Sequence, residues 1–116
     1  QPPIEILENT ITIRIHLDDT EKNNGALKVI TSSHLNGVVR TDSETVNRED
    51  EKYCEVKQGG VMLMKPLLFH ASNRSENNKR RRVIHLEFNS IPLHSKLNWL
   101  EYLQINAQEQ NWNQSV

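Results

Sequence analysis

The sequence predicts an all-β domain, a barrel or sandwich of short strands with one helix near the C-terminal end. Two observations support this prediction. Residues 11–18 alternate strictly between apolar and polar side chains, which is the period of a strand with one apolar face. Further on, the apolar runs VMLMKPLLF (61–69) and VIHLEF (83–88) flank a polar loop, as strands joined by a turn do.

The remaining elements follow from local patterns. Residues 1–10 predict an extended lead-in, because Pro2 and Pro3 restrict the backbone. Short strands are predicted at 26–31 and 53–56, and Pro66 predicts a bulge or an edge position in the run 61–69. The polar, acidic stretch 38–52 predicts a long loop. Ser95 can cap a helix over residues 95–106, where leucines form an approximate apolar stripe.

Length and composition limit the classes of function. The 116 residues allow one domain at most, and the 35% of hydrophobic residues is lean for a self-sufficient core. A net charge of −1 gives no basic field for nucleic acid or an anionic membrane, and no apolar run approaches the ~20 residues of a membrane span. The single cysteine, Cys54, excludes an internal disulfide and fits a reducing compartment, so we expect a cytoplasmic protein.

The two apolar runs bring together residue types that suit a metal and a carboxylate. His70 closes the first run, and three arginines, Arg80 to Arg82, open the second. An imidazole suits a divalent metal such as iron, and a guanidinium suits a carboxylate through its two-pronged donor geometry. Since only alternate residues of a strand face one side, at most one or two of the three arginines can serve.

These residues belong to a longer pattern. His70-Ala71-Ser72-Asn73 is followed by Arg81 at a spacing of eleven positions (81 − 70 = 11). Upstream lie Leu-Asp-Asp at 17–19, Asn-Gly-Ala-Leu-Lys-Val-Ile at 24–30 and Ser-His at 33–34. In this order the two blocks resemble the phytanoyl-CoA dioxygenase family of iron(II)- and 2-oxoglutarate-dependent oxygenases, over about residues 11–88.

The resemblance implies a double-stranded β-helix, a jelly roll of the cupin kind. It implies that His70 is a metal ligand and that Arg81 pairs with the distal carboxylate of 2-oxoglutarate, with Ser72 adding a hydroxyl donor and Arg14 touching the same cosubstrate. Enzymes of this type hydroxylate an unactivated carbon of a small-molecule substrate while 2-oxoglutarate becomes succinate and carbon dioxide. The resemblance also makes His34 a loop-shaping residue rather than a ligand.

The family's other two iron ligands come from a His-x-Asp pair upstream of the Leu-Asp-Asp strand, whereas no histidine precedes His16 here. We therefore expect residues 1–116 to be the C-terminal part of a larger oxygenase domain, with a jelly-roll core at 11–88. Alone it should be inactive or nearly so, because one histidine is a weak iron site. His16-Leu17-Asp18 is itself His-x-Asp on one strand face and is an alternative metal pair. By its position in the family pattern, however, His16 is a cavity-facing neighbour.

Two other functions stay open at this point. The chain could be a non-catalytic jelly-roll module that binds a small carboxylate through Arg14 and Arg81 without metal. It could also be a structural or interaction module in which open strand edges pair between chains, giving a homodimer. The polar face of residues 11–18 either lies in solvent or lines a polar cavity, and the cavity is what both small-molecule functions require.

Overall fold

The computed structural model describes residues 2–39, 47–94, 96–100 and 102–103. Within these ranges it contains one short α-helix and six strands: α1 (Ile4–Glu8), β1 (Thr10–His16), β2 (Leu27–Ile30), β3 (Glu51–Cys54), β4 (Val61–Met64), β5 (His70–Ser72) and β6 (Val83–Asn89). Single 3-10 turns lie between them at Lys22–Asn24, Ser33–Asn36 and Arg48–Asp50.

The strands form two antiparallel sheets, with the orders β4-β1-β6 and β3-β2-β5. Along the chain the strands change sheet repeatedly: β1 lies in the first sheet, β2 and β3 in the second, β4 in the first, β5 in the second and β6 in the first. This alternation between two sheets is that of a jelly roll. The predicted all-β architecture is therefore confirmed as a partial, jelly-roll-like fold.

The first sheet is built around β1, which pairs with β4 on one side and along its whole length with β6 on the other. Directly opposed residues share a face of the sheet. One face, called here the outer face, consists of apolar side chains: Ile11, Ile13, Ile15, Val61, Leu63, Ile84, Leu86 and Phe88. The other, the inner face, takes the polar residues of β1, namely Thr10, Thr12, Arg14 and His16.

The inner face of β1 is the more deeply buried one. Thr10, Thr12 and His16 are 4%, 3% and 2% exposed, whereas Ile11 on the outer face is 37% exposed. Polar groups withdrawn from water in this way require partners or a function, because their burial is otherwise costly. Of the two alternatives for the polar face of this strand, the structure excludes the one in which the face lies in solvent.

The run 61–69 does not form the single strand that was predicted. β4 ends at Met64, and the Leu68 N–H binds the Lys65 carbonyl in a turn that carries the chain into the second sheet, where His70 begins β5. Pro66 has no N–H to donate to a ladder, which favours a break at this point. β4 and β6 consequently pair with β1 rather than with each other.

Two smaller predictions also differ from the structure. Residues 4–8 form α1 instead of an extended lead-in, because the Pro3 carbonyl accepts the N–H groups of Ile6 and Leu7 and proline is favourable at the start of a helix. β3 occupies residues 51–54 rather than 53–56. The strand predicted at 26–31 is present as β2.

Two predictions fall partly outside the described residues. Of the loop predicted at 38–52, residues 40–46 are not described, and its last residues form the 3-10 turn Arg48–Asp50 and the start of β3. Of the helix predicted at 95–106, residues 95, 101 and 104–106 lie outside as well. Residues 96–100 and 102–103 are described, and none of them is helical. Among the described parts of the chain, no helix has the length and apolar character needed to cross a membrane.

Candidate functional site

The turn after β1 is held by a buried asparagine. The Asn24 side chain is fully buried; its Oδ1 accepts the Glu21 N–H at 2.6 Å and its Nδ2 donates to the Asp19 carbonyl at 2.9 Å. Gly25 follows with φ +85°, a left-handed conformation that side chains disfavour. The Asn-Gly pair therefore fixes the path of the chain from β1 into β2.

Gly25 is also the point at which Arg81 meets the end of the β1–β2 turn. Arg81 Nη1 donates a hydrogen bond to the Gly25 carbonyl oxygen. A Cβ atom on Gly25 would lie 3.0 Å from the guanidinium carbon of Arg81 and 3.1 Å from the carbonyl oxygen of Asn73. Asn73 directly follows β5. Because Gly25 has no side chain, both the end of β5 and the Arg81 guanidinium can approach the β1–β2 turn.

Arg14, His16 and Arg81 form a cluster that is called here the arginine pocket. Arg14 and His16 are two residues apart on the inner face of β1. Burial lowers the pKa of Arg14, and the nearby Arg81 guanidinium lowers it further. Burial also lowers the pKa of His16, with added contributions from Arg14 and Arg81. The three groups are thus close enough to repel one another electrostatically when charged.

The arginine pocket contains donors without acceptors. Arg14 Nε is buried and has no hydrogen-bond partner within the described residues. Buried polar groups are nearly always paired in folded proteins, so an unpaired guanidinium N–H beside a second guanidinium points to an anionic partner. A carboxylate supplies both the acceptor and the compensating charge.

Of the three consecutive arginines, only Arg81 is seen to join this pocket. Arg82 turns to Asp18, donating from its backbone N at 2.8 Å, from Nε at 2.9 Å and from Nη2 at 3.0 Å. No side-chain hydrogen bond of Arg80 is found within the described part of the chain. Since Arg81 contacts the turn at Gly25 and faces Arg14, the structure brings together two of the three predicted cosubstrate residues.

The Asp18–Arg82 pair gives a testable pH dependence. Hydrogen bonds from Arg82 lower the pKa of Asp18 from 3.8 to about 2. A carboxyl with a lowered folded-state pKa stabilises the fold above its unfolded-state pKa, and that contribution is lost as pH falls from about 4 to about 2. We expect Arg82→Ala to return the Asp18 pKa towards its ordinary value, as measured by NMR titration of the carboxyl carbon. Arg80→Ala is the matched control; an equal rise in that variant would contradict the pairing.

His70 lies at the start of the edge strand β5 and is exposed. Its Nδ1 is 2.6 Å from the Leu68 carbonyl oxygen. Since a carbonyl can only accept, Nδ1 carries the hydrogen and the neutral ring presents the lone pair of Nε2. Metal-ligating histidines generally donate the N–H of their other ring nitrogen to a backbone carbonyl or a carboxylate, and this hydrogen bond orients the ring.

Ser33 positions the residue before His70, a role that the sequence patterns missed. The Ser33 hydroxyl accepts the Phe69 N–H at 2.8 Å and donates to the Ile30 carbonyl at 2.7 Å. The Ile30 N–H in turn binds the Phe69 carbonyl at 3.0 Å. The only available signal was that Ser33 stands in the Ser-His pair of the family pattern. The companion His34 lies in the 3-10 turn Ser33–Asn36.

The described residues fit an iron ion only in part. His70 presents one ligand nitrogen, but no group of three His, Cys, Asp or Glu side chains within the described ranges could hold a metal. The alternative pair His16 and Asp18 does not converge, because His16 Nδ1 is 2.7 Å from the Thr20 hydroxyl and the Asp18 carboxylate is bound by Arg82.

Ser72 is placed two residues after His70 on the same strand, opposite Leu27 of β2. Its side chain is exposed, and no hydrogen bond of its hydroxyl is found among the described residues, so the structure does not pair it with Arg81. A cleft of about 180 Å³ lies beside His70; it is lined by Ser33, Gly37, Val38, Val39 and residues 66–70. A larger groove of about 350 Å³ contains none of the predicted site residues; it is lined by Glu21, Lys22, Asn23, Tyr53, Glu55, Asn73 and Glu76.

The fold and these residues can be compared with known proteins. The family model described as phytanoyl-CoA dioxygenase matches residues 1–83. The solved structure of EvdMO1 is 26% identical with a TM-score of 0.59, over 71% of this chain and 20% of that one. AviO1 from Streptomyces viridochromogenes is 25% identical with a TM-score of 0.59, over 74% of this chain and 39% of that one. The chain thus spans less than half the length of either structure. No curated protein matches it.

Proposed function

Because the chain belongs to the phytanoyl-CoA dioxygenase family, we propose that it forms the cosubstrate-binding end of an Fe(II)- and 2-oxoglutarate-dependent hydroxylase active site. The observation that carries this proposal is the arginine pocket. It joins Arg14 of β1 to Arg81, 67 residues later in the chain (81 − 14 = 67), with a buried Arg14 Nε that lacks an acceptor among the described residues.

In this proposal Arg81 and Arg14 bind the distal carboxylate of 2-oxoglutarate. A guanidinium can give two parallel N–H donors to one carboxylate, and such charge-assisted bonds are roughly twice as strong as neutral ones. Their strength increases where water is partly excluded, as it is around Arg14. Ser72, which lies beside the Asn73–Gly25–Arg81 contact, supplies a further hydroxyl donor to the same carboxylate.

His70 provides one of the iron ligands through Nε2, with Nδ1 held by the Leu68 carbonyl. The bound iron and 2-oxoglutarate would supply the oxidising chemistry, in which dioxygen is consumed, succinate and carbon dioxide are released and a substrate carbon is hydroxylated. This chain's own contribution is to orient the cosubstrate and one ligand. The cleft beside His70 is the place we assign to a small-molecule substrate.

The proposal is tested by succinate release. The protein as encoded, including any sequence that adjoins these 116 residues, should convert 2-oxoglutarate to succinate in the presence of Fe(II) and dioxygen. The isolated chain should not, since its described residues provide one iron ligand. His70→Ala should lower the rate of the encoded protein at least about a hundredfold, because ligand loss removes the metal. His34→Ala is the control, and a similar loss in both variants would contradict the role of His70.

A second candidate function is a metal-free carboxylate-binding module. The same arginine pocket supports it, since Arg14 and Arg81 need no metal to bind an anion. The two functions differ in their dependence on the 2-oxo group and on iron. A binding module should hold glutarate and 2-oxoglutarate equally well and ignore added Fe(II), whereas the hydroxylase should bind 2-oxoglutarate more tightly when Fe(II) is present.

We also propose that two copies of the chain associate through β6. This strand has β1 on one side and no partner strand on the other within the described residues, and unpaired edges promote strand addition. Its outer-face residues Ile84, Leu86 and Phe88 are 43%, 40% and 39% exposed. Light scattering should show a dimer that Leu86→Lys shifts to monomer, while Leu35→Lys, at another exposed leucine, should not. A monomeric wild-type chain at high concentration would contradict the association.

A reducing compartment suits this function. Fe(II) and the thiol of Cys54 both persist there, and burial raises the pKa of Cys54, which favours the less reactive thiol form. We therefore propose that the protein acts in the cytoplasm.

A further inference from the structure

His16 is the titratable member of the arginine pocket that the proposed function does not use. It is 2% exposed, and its Nδ1 is 2.7 Å from the Thr20 hydroxyl. Its other ring nitrogen, Nε2, is buried without a hydrogen-bond partner in the described ranges, as is Arg14 Nε. Side chains two residues apart on a strand face lie about 7 Å from each other. Two orphaned nitrogens therefore stand side by side on one buried face.

Such a pair is costly in the empty protein. Each buried polar group without a partner disfavours the folded state, and folded proteins keep few of them. An unpaired Nε2 next to an unpaired guanidinium N–H is explained if a ligand supplies the missing acceptors. Resting on the proposed function, the ligand is the distal carboxylate of 2-oxoglutarate.

The charges around His16 determine its protonation. Arg14 lies on the same strand and Arg81 precedes β6; both lower the pKa of His16, in addition to its burial. On β6, the uncharged Val83 lies opposite His16. The next two inner-face residues of β6 are His85 and Glu87, whose Nε2 and Oε1 atoms are 3.4 Å apart.

The other charged groups near this end of the sheet are engaged elsewhere. Asp18 is bound by Arg82, and Lys57 in the turn before β4 is bound by Asp19 and Glu21. The inner-face residue of β4 nearest to this end is Met62, which carries no charge. In the second sheet, His70 of β5 shares a face with the titratable residues Lys52 and Cys54 of β3, as their pairing with β2 shows. The empty pocket is therefore dominated by Arg14 and Arg81, and it favours a neutral His16.

We propose that His16 is the third carboxylate-binding residue of the arginine pocket and that it takes up a proton when a dicarboxylate binds. A carboxylate between Arg14 and Arg81 offsets the two positive charges that disfavour imidazolium. Protonation puts a hydrogen on both ring nitrogens, so that Nε2 can donate to the ligand while Nδ1 donates to Thr20. The third positive charge of the pocket is thus present only when the ligand is.

This linkage fixes the direction of the pH dependence. The pKa of His16 is low in the empty protein and higher in the complex, so binding consumes protons at every pH between the two values. Affinity for the dicarboxylate then increases as pH falls through the pKa of the complex and levels off below that of the empty protein. The slope is at most about tenfold in affinity per pH unit for one proton.

The test is calorimetric titration of the metal-free protein with glutarate and with 2-oxoglutarate, near pH 6.5, in two buffers of different ionisation enthalpy. The wild-type protein should take up a fraction of a proton, between zero and one, for each ligand bound. His16→Asn keeps a polar atom near Nδ1 for Thr20 and should bind without proton uptake. His85→Gln, at the neighbouring histidine of the same face, should keep the uptake.

The outcomes of this titration separate the inference about His16 from the proposed function. Binding without proton uptake in the wild type, or uptake that persists in His16→Asn, would overturn this inference and leave the proposed function standing. Absence of binding of both ligands to the wild type, with Fe(II) added as well as without it, would overturn both. Should His16→Asn fail to fold, NMR titration of the His16 ring in the wild type decides instead: a pKa that rises on adding glutarate supports the inference, and an unchanged pKa overturns it.

Discussion

Arg81→Ala is expected to weaken binding of 2-oxoglutarate by roughly a hundredfold, whereas Arg80→Ala is expected to leave it unchanged. Removing one partner of a close charge pair in a partly buried site typically costs 2–5 kcal/mol, and about 2.8 kcal/mol corresponds to a hundredfold. Arg81 meets these conditions because it donates to the Gly25 carbonyl and lies beside Arg14, whose Nε is buried. Calorimetry on the metal-free protein measures the difference.

The pair of variants is well matched. Arg80 and Arg81 are adjacent, both are exposed on average, and both substitutions remove one positive charge from the same loop. A general electrostatic effect would therefore weaken binding about equally in both. Loss of affinity in Arg80→Ala with Arg81→Ala unaffected would show that the neighbouring residue faces the pocket and that the arrangement described here is wrong.

Asn24→Ala is expected to lower the free energy of unfolding by about 3 kcal/mol. The substitution leaves the Glu21 N–H and the Asp19 carbonyl without their partners in a fully buried position, and each such loss costs about 1–3 kcal/mol. Chemical denaturation measures the change. Asn23→Ala is the control, since Asn23 is exposed and its side chain accepts a single exposed hydrogen bond, from Asn77 Nδ2 at 3.3 Å, among the described residues. Equal stability of the two variants would contradict this account of the turn.

Asn24→Ala should also reach the arginine pocket. Gly25 follows Asn24 directly, and its carbonyl is the acceptor for Arg81. A turn that loses its buried asparagine no longer fixes that carbonyl, so affinity for 2-oxoglutarate should fall in Asn24→Ala and not in Asn23→Ala. The stability of the fold and the geometry of the site are thus coupled through two adjacent residues.

The existence of β1 could be predicted from the sequence, but not which of its faces is buried. Strict alternation shows that the strand has an apolar and a polar face, but it does not show which of them is buried. Ordinarily the apolar face is the buried one. Which face is buried depends on the tertiary structure. Thr12 opposes Met64 and Glu87, and the buried face belongs to the side on which Arg81 approaches. A polar face buried against ordinary expectation is what marks this strand as part of a site.

The assignment of Arg81 combined a local rule with a resemblance. Alternation limits the inward-facing arginines to one or two of the three, and the spacing from His70 selects Arg81. The contact that holds it, with a glycine carbonyl 56 residues earlier, has no local signature. The break after Met64 was missed because the apolar run continues across Pro66, and apolar character alone does not show which sheet a residue joins.

The measurement that tests the central claim most directly is a crystal structure of the protein with 2-oxoglutarate bound. We predict that its distal carboxylate lies between Arg14 and Arg81, within hydrogen-bond distance of Arg14 Nε and of the Arg81 guanidinium, with the 2-oxo acid end directed towards His70. A ligand bound in the larger groove beside Tyr53, or one whose carboxylate is held by Arg80 or Arg82, would contradict it.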